Sequence, residues 1–242
     1  MSEVINVNRV KYKEGDTVYI RIADPFKKFK VLKGEVYIVD VYGTFFKPDE
    51  PSYDIMVENY EFDGKLSPAL FKHCAQHTVF DNEEDCILYG QLSIYDKLSE
   101  EEKAQFNKNL IDKYPFLKID ENYLDHDGGN WLIELPKGWR HRIGLKMCEE
   151  LSKLDLSSFK ILDIIAKNGI LKVCYDGGNE QVDNVIECYE KKSSKVCWKC
   201  GEDAKYRHVV GLFPWCKNCA YENHYTNEGT VEEFDKWWLE IK

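Results

Sequence analysis

The sequence predicts an α+β chain in two parts: a small β-barrel of short strands, then an αββα unit that ends in a cysteine ribbon and a terminal amphipathic helix. Three observations carry this. From about residue 11 to about residue 90, β-branched and aromatic runs alternate with Pro and Gly breaks. Further on, apolar residues recur at helical spacing on both sides of an Asn168-Gly169 turn. Near the end, two Cys-x-x-Cys pairs face each other across fifteen residues.

The length of 242 residues suits one large or two modest domains, and the composition shifts along the chain favour two. The expected boundaries are a barrel at 1–92, a helical connector with an acidic loop at 93–130, and the αββα ribbon domain at 131–242. Hydrophobic residues make up 43% and charged residues 31%, enough apolar material for packed cores. No run of about eighteen apolar residues is present, so no membrane span is expected. The opening residues MSEVINVNRVKYKEGD carry charges where a signal peptide needs an apolar stretch. A cytoplasmic protein is the expectation.

The strands come in order. Thr17–Ile22 alternates after a Glu14-Gly15-Asp16 turn, Gly34–Val41 is β-branched and aromatic, and Tyr53–Val57 is a third strand. Shorter apolar pieces follow at Leu70-Phe71 and Thr78–Phe80. Ser99-Glu100-Glu101-Glu102 is a capping box, which predicts a helix from about Ser99 to Tyr114 with Phe106 and Leu110 on one side. Asp120–Gly129 reads as a linker or exposed loop.

Pro136-Lys137-Gly138-Trp139 opens the second half. Ile143, Met147, Cys148, Leu151 and Leu154 then mark a helix over Arg140–Leu154. Phe159–Ala166 and Ile170–Tyr175 form a hairpin around Asn168-Gly169. Val182, Val185, Ile186 and Tyr189 mark a second helix running into the first cysteine pair.

Nine cysteines, an odd number without an export signal, point to free or metal-bound thiols rather than disulfides. Cys74, Cys86, Cys148, Cys174 and Cys188 are scattered singly, as small buried hydrophobes are. Cys197-Trp-Lys-Cys200-Gly and Cys216-Lys-Asn-Cys219 are different. Two residues between cysteines let a tight turn aim both thiolates at one ion, and a second such turn completes a tetrahedron. One structural Zn²⁺ on Cys197, Cys200, Cys216 and Cys219 is expected, with no coordination position left for a substrate. Such an ion folds a segment too short to build a core of its own.

The loop between the pairs carries Lys205, Arg207 and His208 among apolar residues, candidate contacts for nucleic acid. After the ribbon, Thr230-Val-Glu-Glu233 is a second capping box. Phe234, Trp237, Trp238 and Ile241 follow at the spacing of one helix face. That stripe either seals the core or offers Trp237 and Trp238 to a partner. His73, Cys74, His77 and Cys86 match no compact metal spacing. Asp120, Glu121, Asp125, His126 and Asp127 form an acidic loop that carries weight only as a minor hydrolase alternative. No glycine-rich phosphate loop, nucleophile elbow or kinase signature is present. A net charge of −10 argues against a broad footprint on phosphate backbones.

Two resemblances add to this. Lys13-x-Gly15-Asp16-x-Val18-Tyr19 followed by Lys33-Gly34-Glu35-Val36 resembles the opening of SH3-like and Tudor-like barrels. The stretches LPKGWRHRIGLKMCEEL (135–151), FKILDIIAKNGILKVCYD (159–176) and YEKKSSKVCWKCG (189–201), entered through KYPFL (113–117), resemble a family of bacteriophage, prophage and gut-bacterial proteins. That family carries a Gly-Trp helix with a Met-Cys-Glu-Glu stretch, a charged hairpin and a Cys-x-x-Cys-Gly ribbon. The likeness covers about residues 113–220. It departs in the hairpin, where Ile164-Ile165-Ala166-Lys167 and Lys172 replace the charged triplet and Arg of the family.

The resemblance implies a setting, that of accessory proteins of mobile elements acting on host machinery. The expectation is a non-enzymatic, zinc-stabilised protein that binds a host protein or protein–nucleic-acid complex, such as a CRISPR-type defence nuclease. Direct nucleic-acid binding by the ribbon as a regulator is the alternative.

Overall fold

The Glu14-Gly15-Asp16 turn starts the first strand as its composition requires. Gly15 takes φ 86°, a region glycine enters without a Cβ penalty, and its N–H donates to Val36 O at 2.9 Å. This computed structural model describes residues 10–24, 28–43, 50–119, 129–226, 230 and 233–241. The chain divides into two units, Met1–Asp96 and Lys97–Lys242.

In the first unit, β1 (Thr17–Asp24), β2 (Lys28–Asp40), β3 (Ser52–Phe62), β4 (Lys65–Ala75) and β5 (Val79–Phe80) form one antiparallel sheet in the order β4-β3-β2-β1-β5. Asp63 and Gly64 both take positive φ, 53° and 71°, the two-residue turn that matches strand twist between β3 and β4. Val18, Ile20, Leu32, Val36, Tyr53, Ile55, Val57 and Val79 make the core with Tyr12. The buried phenol of Tyr53 is satisfied: it accepts from the N–H groups of Lys11 (3.1 Å) and Tyr12 (3.3 Å) and donates to Gln76 Oε1 at 2.5 Å.

The strands run longer than their sequence signals, and the expected closed barrel is not formed. Among the described residues β4 and β5 remain the two edges of an open sheet. Closure would need a last strand long enough to span from β1 to β4. β5 has two residues and pairs only with β1, because the chain turns at once into helix α1 (Glu83–Ser93), which packs on β1, β2 and β5. Asn82 caps that helix by accepting from Asp85 N at 2.8 Å.

The second unit opens with α2 (Glu100–Lys113). Its predicted capping box is complete: Glu102 N donates to Ser99 Oγ, and Ser99 N to Glu102 Oε2. Phe106 and Leu110 are fully buried on it. The acidic loop 120–128 lies outside the described residues, and Asp120, Glu121, Asp125, His126 and Asp127 with it. Two short helices follow, α3 (Trp131–Glu134) and α4 (Lys137–Trp139). A wider π-turn at Arg140–Leu145 then leads into α5 (Lys146–Leu151). The helix expected over 140–154 therefore begins in π geometry, and Ile143, Met147, Cys148 and Leu151 are buried on it as anticipated.

Asn168 and Gly169, at φ 52° and 72°, turn β6 (Lys160–Lys167) into β7 (Ile170–Asp176). Helix α6 (Glu180–Ser193), capped by Asn179, packs on that hairpin. Glu190 ties the two, accepting from Val173 N at 3.0 Å and pairing with Lys172 at 2.6 Å. An αββα arrangement thus leads into the cysteines.

The ribbon comprises β8 (Tyr206–His208), β9 (Pro214–Trp215), helix α7 (Lys217–Thr226), a single turn α8 (Phe234–Trp237) and β10 (Trp238–Glu240), with sheet order β10-β8-β9. The terminal amphipathic helix is a correction. Helix ends after Trp237, and the chain then extends along the free edge of β8, pairing Trp238 with His208 and Glu240 with Tyr206. A two-strand hairpin leaves that edge's N–H and C=O groups without partners, and β10 supplies them. Part of the predicted Thr230–Glu233 capping box lies outside the described residues. Among the described residues no helix is long and apolar enough to cross a membrane.

Candidate metal centre

The two cysteine pairs converge from different local structures. Cys197 and Cys200 sit on a tight knuckle closed by Gly201, whose φ of 86° and N–H to Cys197 O (2.9 Å) make the reversal. Cys216 precedes α7 and Cys219 lies in its first turn, where Cys219 N donates to Cys216 Sγ at 3.4 Å. All four sulfurs lie within 4.8 Å of one another, and Cys200 Sγ is 3.6 Å from Cys216 Sγ. A tetrahedron with metal–sulfur bonds of about 2.3 Å has edges of about 3.8 Å, so the cluster has the size of one ion's ligand shell. Cys197, Cys216 and Cys219 are buried, whereas Cys200 faces solvent.

The Cys197 thiol is lowered to about 5, first by the hydrogen bond from Cys200, with backbone amides of Cys216, Cys200 and Lys199 adding to it against burial. Cys200 is raised, chiefly because it holds the proton of that pair, and burial pushes Cys219 up to about 12. Four thiolates at this spacing repel one another, so the cluster carries either protons or a cation.

A group of aromatic rings backs the site. Trp198 stacks on Phe213 at 4.6 Å and meets Trp215 edge-on at 5.4 Å, and Trp215 meets Trp238 at 5.4 Å and 90°. Phe234 stacks on Trp238 at 5.6 Å. With Cys197, Cys216, Cys219 and Ala220 these rings form the ribbon's core. The indole N–H groups of Trp198, Trp215 and Trp238 are buried without a hydrogen-bond partner. Edge-to-face packing is the arrangement in which a ring's electropositive edge finds a neighbour's π face.

The other sequence candidates are distributed differently. Trp238, considered for partner contact, is 3% exposed and belongs to this core, while its neighbour Trp237 is 45% exposed beside His208. The alternation of β8 puts Tyr206 and His208 on the side of Phe234 and Trp238, and Arg207 on the other, opposite Leu239. Lys205 is exposed just before β8. His208 is thus an aromatic packing residue, and Lys205 and Arg207 are the cations presented outward. His77 pairs with Glu50 at 2.6 Å, Cys86 is buried in α1, and neither joins His73 and Cys74 in a ligand group.

Sequence reasoning missed what stands behind the first knuckle. Gly138 N donates to Trp198 O (2.8 Å), Trp139 Nε1 to Val196 O (2.8 Å), and Arg142 Nη1 to both Gly201 O (2.9 Å) and Asp203 Oδ1 (2.7 Å). The Pro136–Trp139 segment was visible as the start of a domain, but nothing in its spacing points sixty or so residues ahead.

The fold and site define a two-unit α+β protein with a ribbon whose four cysteines cluster closely enough to hold a metal ion. Comparison with known proteins found no matching family model, no similar curated protein and no similar solved structure.

Proposed function

We propose that this chain is a zinc-stabilised binding protein of the accessory kind that mobile elements carry, acting in the cytoplasm of a bacterial host on a protein or protein–nucleic-acid complex. Zinc is the metal that four cysteines in two Cys-x-x-Cys turns suit best, and four thiolates close its coordination sphere, leaving it a scaffold. The observation that carries the binding role is the ribbon's outer surface. Trp237, Leu239 and Val210 are exposed on and beside its three-stranded sheet, over a core fixed by the cysteine cluster. Aromatic and aliphatic anchors on a rigid base are what a protein partner grips.

The net charge of −10 favours a target with basic surfaces, and nucleic-acid-handling assemblies such as defence nucleases present them. The first unit is read as an open SH3-like module, a reading supported by the β1–β4 meander and by β5 returning beside β1. The test is capture of partners from nuclease-treated bacterial lysate with the intact chain and with Trp237→Ala. A stoichiometric host protein retained by the first and lost by the second is the expected result. Equal capture by both refutes the ribbon-surface reading.

A second reading, direct nucleic-acid binding, is favoured by the outward placement of Lys205 and Arg207 on one side of β8. It requires oligonucleotide affinity that falls steeply with salt and weakens in Arg207→Ala.

A further inference from the structure

The four ligands are not held alike. The second pair rests on the start of α7, whereas the first pair is gripped from behind by one short segment that is distant in sequence. That segment, residues 138–142, meets the backbone on both sides of the knuckle: Val196 O before Cys197, Trp198 O within the turn and Gly201 O after Cys200. Gly138 is there because nothing larger fits, since a Cβ on it would stand 2.2 Å from Cys197 O and 2.5 Å from Gly201 N.

Arg142 brings a charge to the grip. A single nitrogen of its guanidinium reaches the carbonyl that ends the knuckle and the carboxylate of Asp203 two residues on, at 2.9 and 2.7 Å. Asp203 itself lies in a bridge with Val196, on the strand-like pair that closes the loop bearing Cys197 and Cys200. A knuckle cross-braced in this way has its backbone tied at three points behind the sulfurs.

We infer that Arg142 is a positioning residue of the metal site. It touches no metal; it fixes the Cys197–Gly201 turn in ligating geometry, so that the ion loses less to ordering the ligands when it binds. This deepens the zinc reading given above and rests on it. Groups that orient ligands from behind typically change metal affinity by about ten- to a hundredfold when removed.

Arg142 suits a test because it and Asp203 are both well exposed, their side chains 42% and 65% accessible, so neither substitution opens the core. The experiment uses the full chain and zinc alone, in competition with a chromophoric chelator, for the natural sequence, Arg142→Ala, Arg142→Lys, Asp203→Ala and the control Lys146→Ala. Lys146 also makes a 2.7 Å surface ion pair, with Glu149, but on α5 away from the knuckle. Expected is one zinc per natural chain, affinity lowered roughly ten- to a hundredfold in Arg142→Ala, a smaller loss in Asp203→Ala, partial recovery in Arg142→Lys and no change in the control.

Melting of the same proteins separates positioning from simple bracing. The loss in Arg142→Ala should appear in the zinc-loaded chain and vanish after chelation. Unchanged affinity in Arg142→Ala, or an equal fall in melting temperature with and without zinc, overturns the inference while the zinc reading stands. Failure of the natural chain to bind zinc removes both.

Discussion

Gly138 lies against the first cysteine knuckle so closely that its missing side chain is part of the contact: a Cβ would come within 2.2 Å of the carbonyl oxygen of Cys197. The two residues are separated by the αββα motif, yet a side chain at Gly138 would displace the backbone at Cys197.

Gly138→Ala therefore forces backbone against backbone, which no rotamer change relieves. Overpacking of this kind costs about 1–3 kcal/mol. The zinc-loaded protein should lose stability by that amount and melt lower, and its zinc should be released faster to chelator. A variant indistinguishable from the natural chain would show that the segment is not seated on the knuckle.

Chelation should dissolve the ribbon and spare the first unit. The first unit's core is drawn from Tyr12 to Val79, and no cysteine ligand belongs to it. Amide hydrogen exchange is the measurement, with protection expected to fall over residues 196–220 and over 138–142 while it persists over β1 and β2. Loss of protection throughout would mean that the two units unfold as one.

The neighbouring tryptophans should part company. Trp238→Ala removes a ring packed among His208, Trp215 and Phe234, and a large-to-small change at such a site costs about 3–5 kcal/mol. Trp237→Ala at a half-exposed position should stay within about 0.5 kcal/mol. Denaturant unfolding of both variants checks this, and comparable losses would contradict the placement of β10.

Alkali should weaken the second unit through Tyr175. Its hydroxyl donates to Asp183 at 2.7 Å, and that bond, with burial adding to it, raises the phenol from 10.0 to about 12. The folded state keeps a proton that the unfolded chain gives up. The contribution is therefore complete below pH 10 and lost as pH rises from about 10 to about 12. Tyrosinate absorbance in Asp183→Asn should show one phenol titrating earlier, and an unshifted curve would remove Asp183 as the cause.

Much of this architecture was legible because local signals agreed with the tertiary outcome. The Ser99–Glu102 capping box, the Asn168-Gly169 turn and the periodic Val182, Ile186 and Tyr189 each specify a structure within a few residues, and each formed. The cysteine cluster was legible for the same reason, since each knuckle is a short-range motif.

What failed depended on distant partners. The Phe234–Ile241 stripe has helical spacing, but the vacant edge of β8 competes for the same backbone and takes Trp238–Glu240 as a strand. Barrel closure turned on the length of β5, which two-residue signals cannot set. The grip of residues 138–142 on the knuckle leaves no periodic trace at all.

That grip also sets an order of events in time. The bonds from Trp139 and Arg142 to the knuckle span 57, 59 and 61 residues of chain. Turns such as Cys197–Gly201 close fast, while loops of that length close late because the ends must search a larger volume. A nascent ribbon can thus meet its ion before residues 138–142 arrive. An ion taken up at that stage would sit in a looser site, and the later docking of residues 138–142 would tighten it.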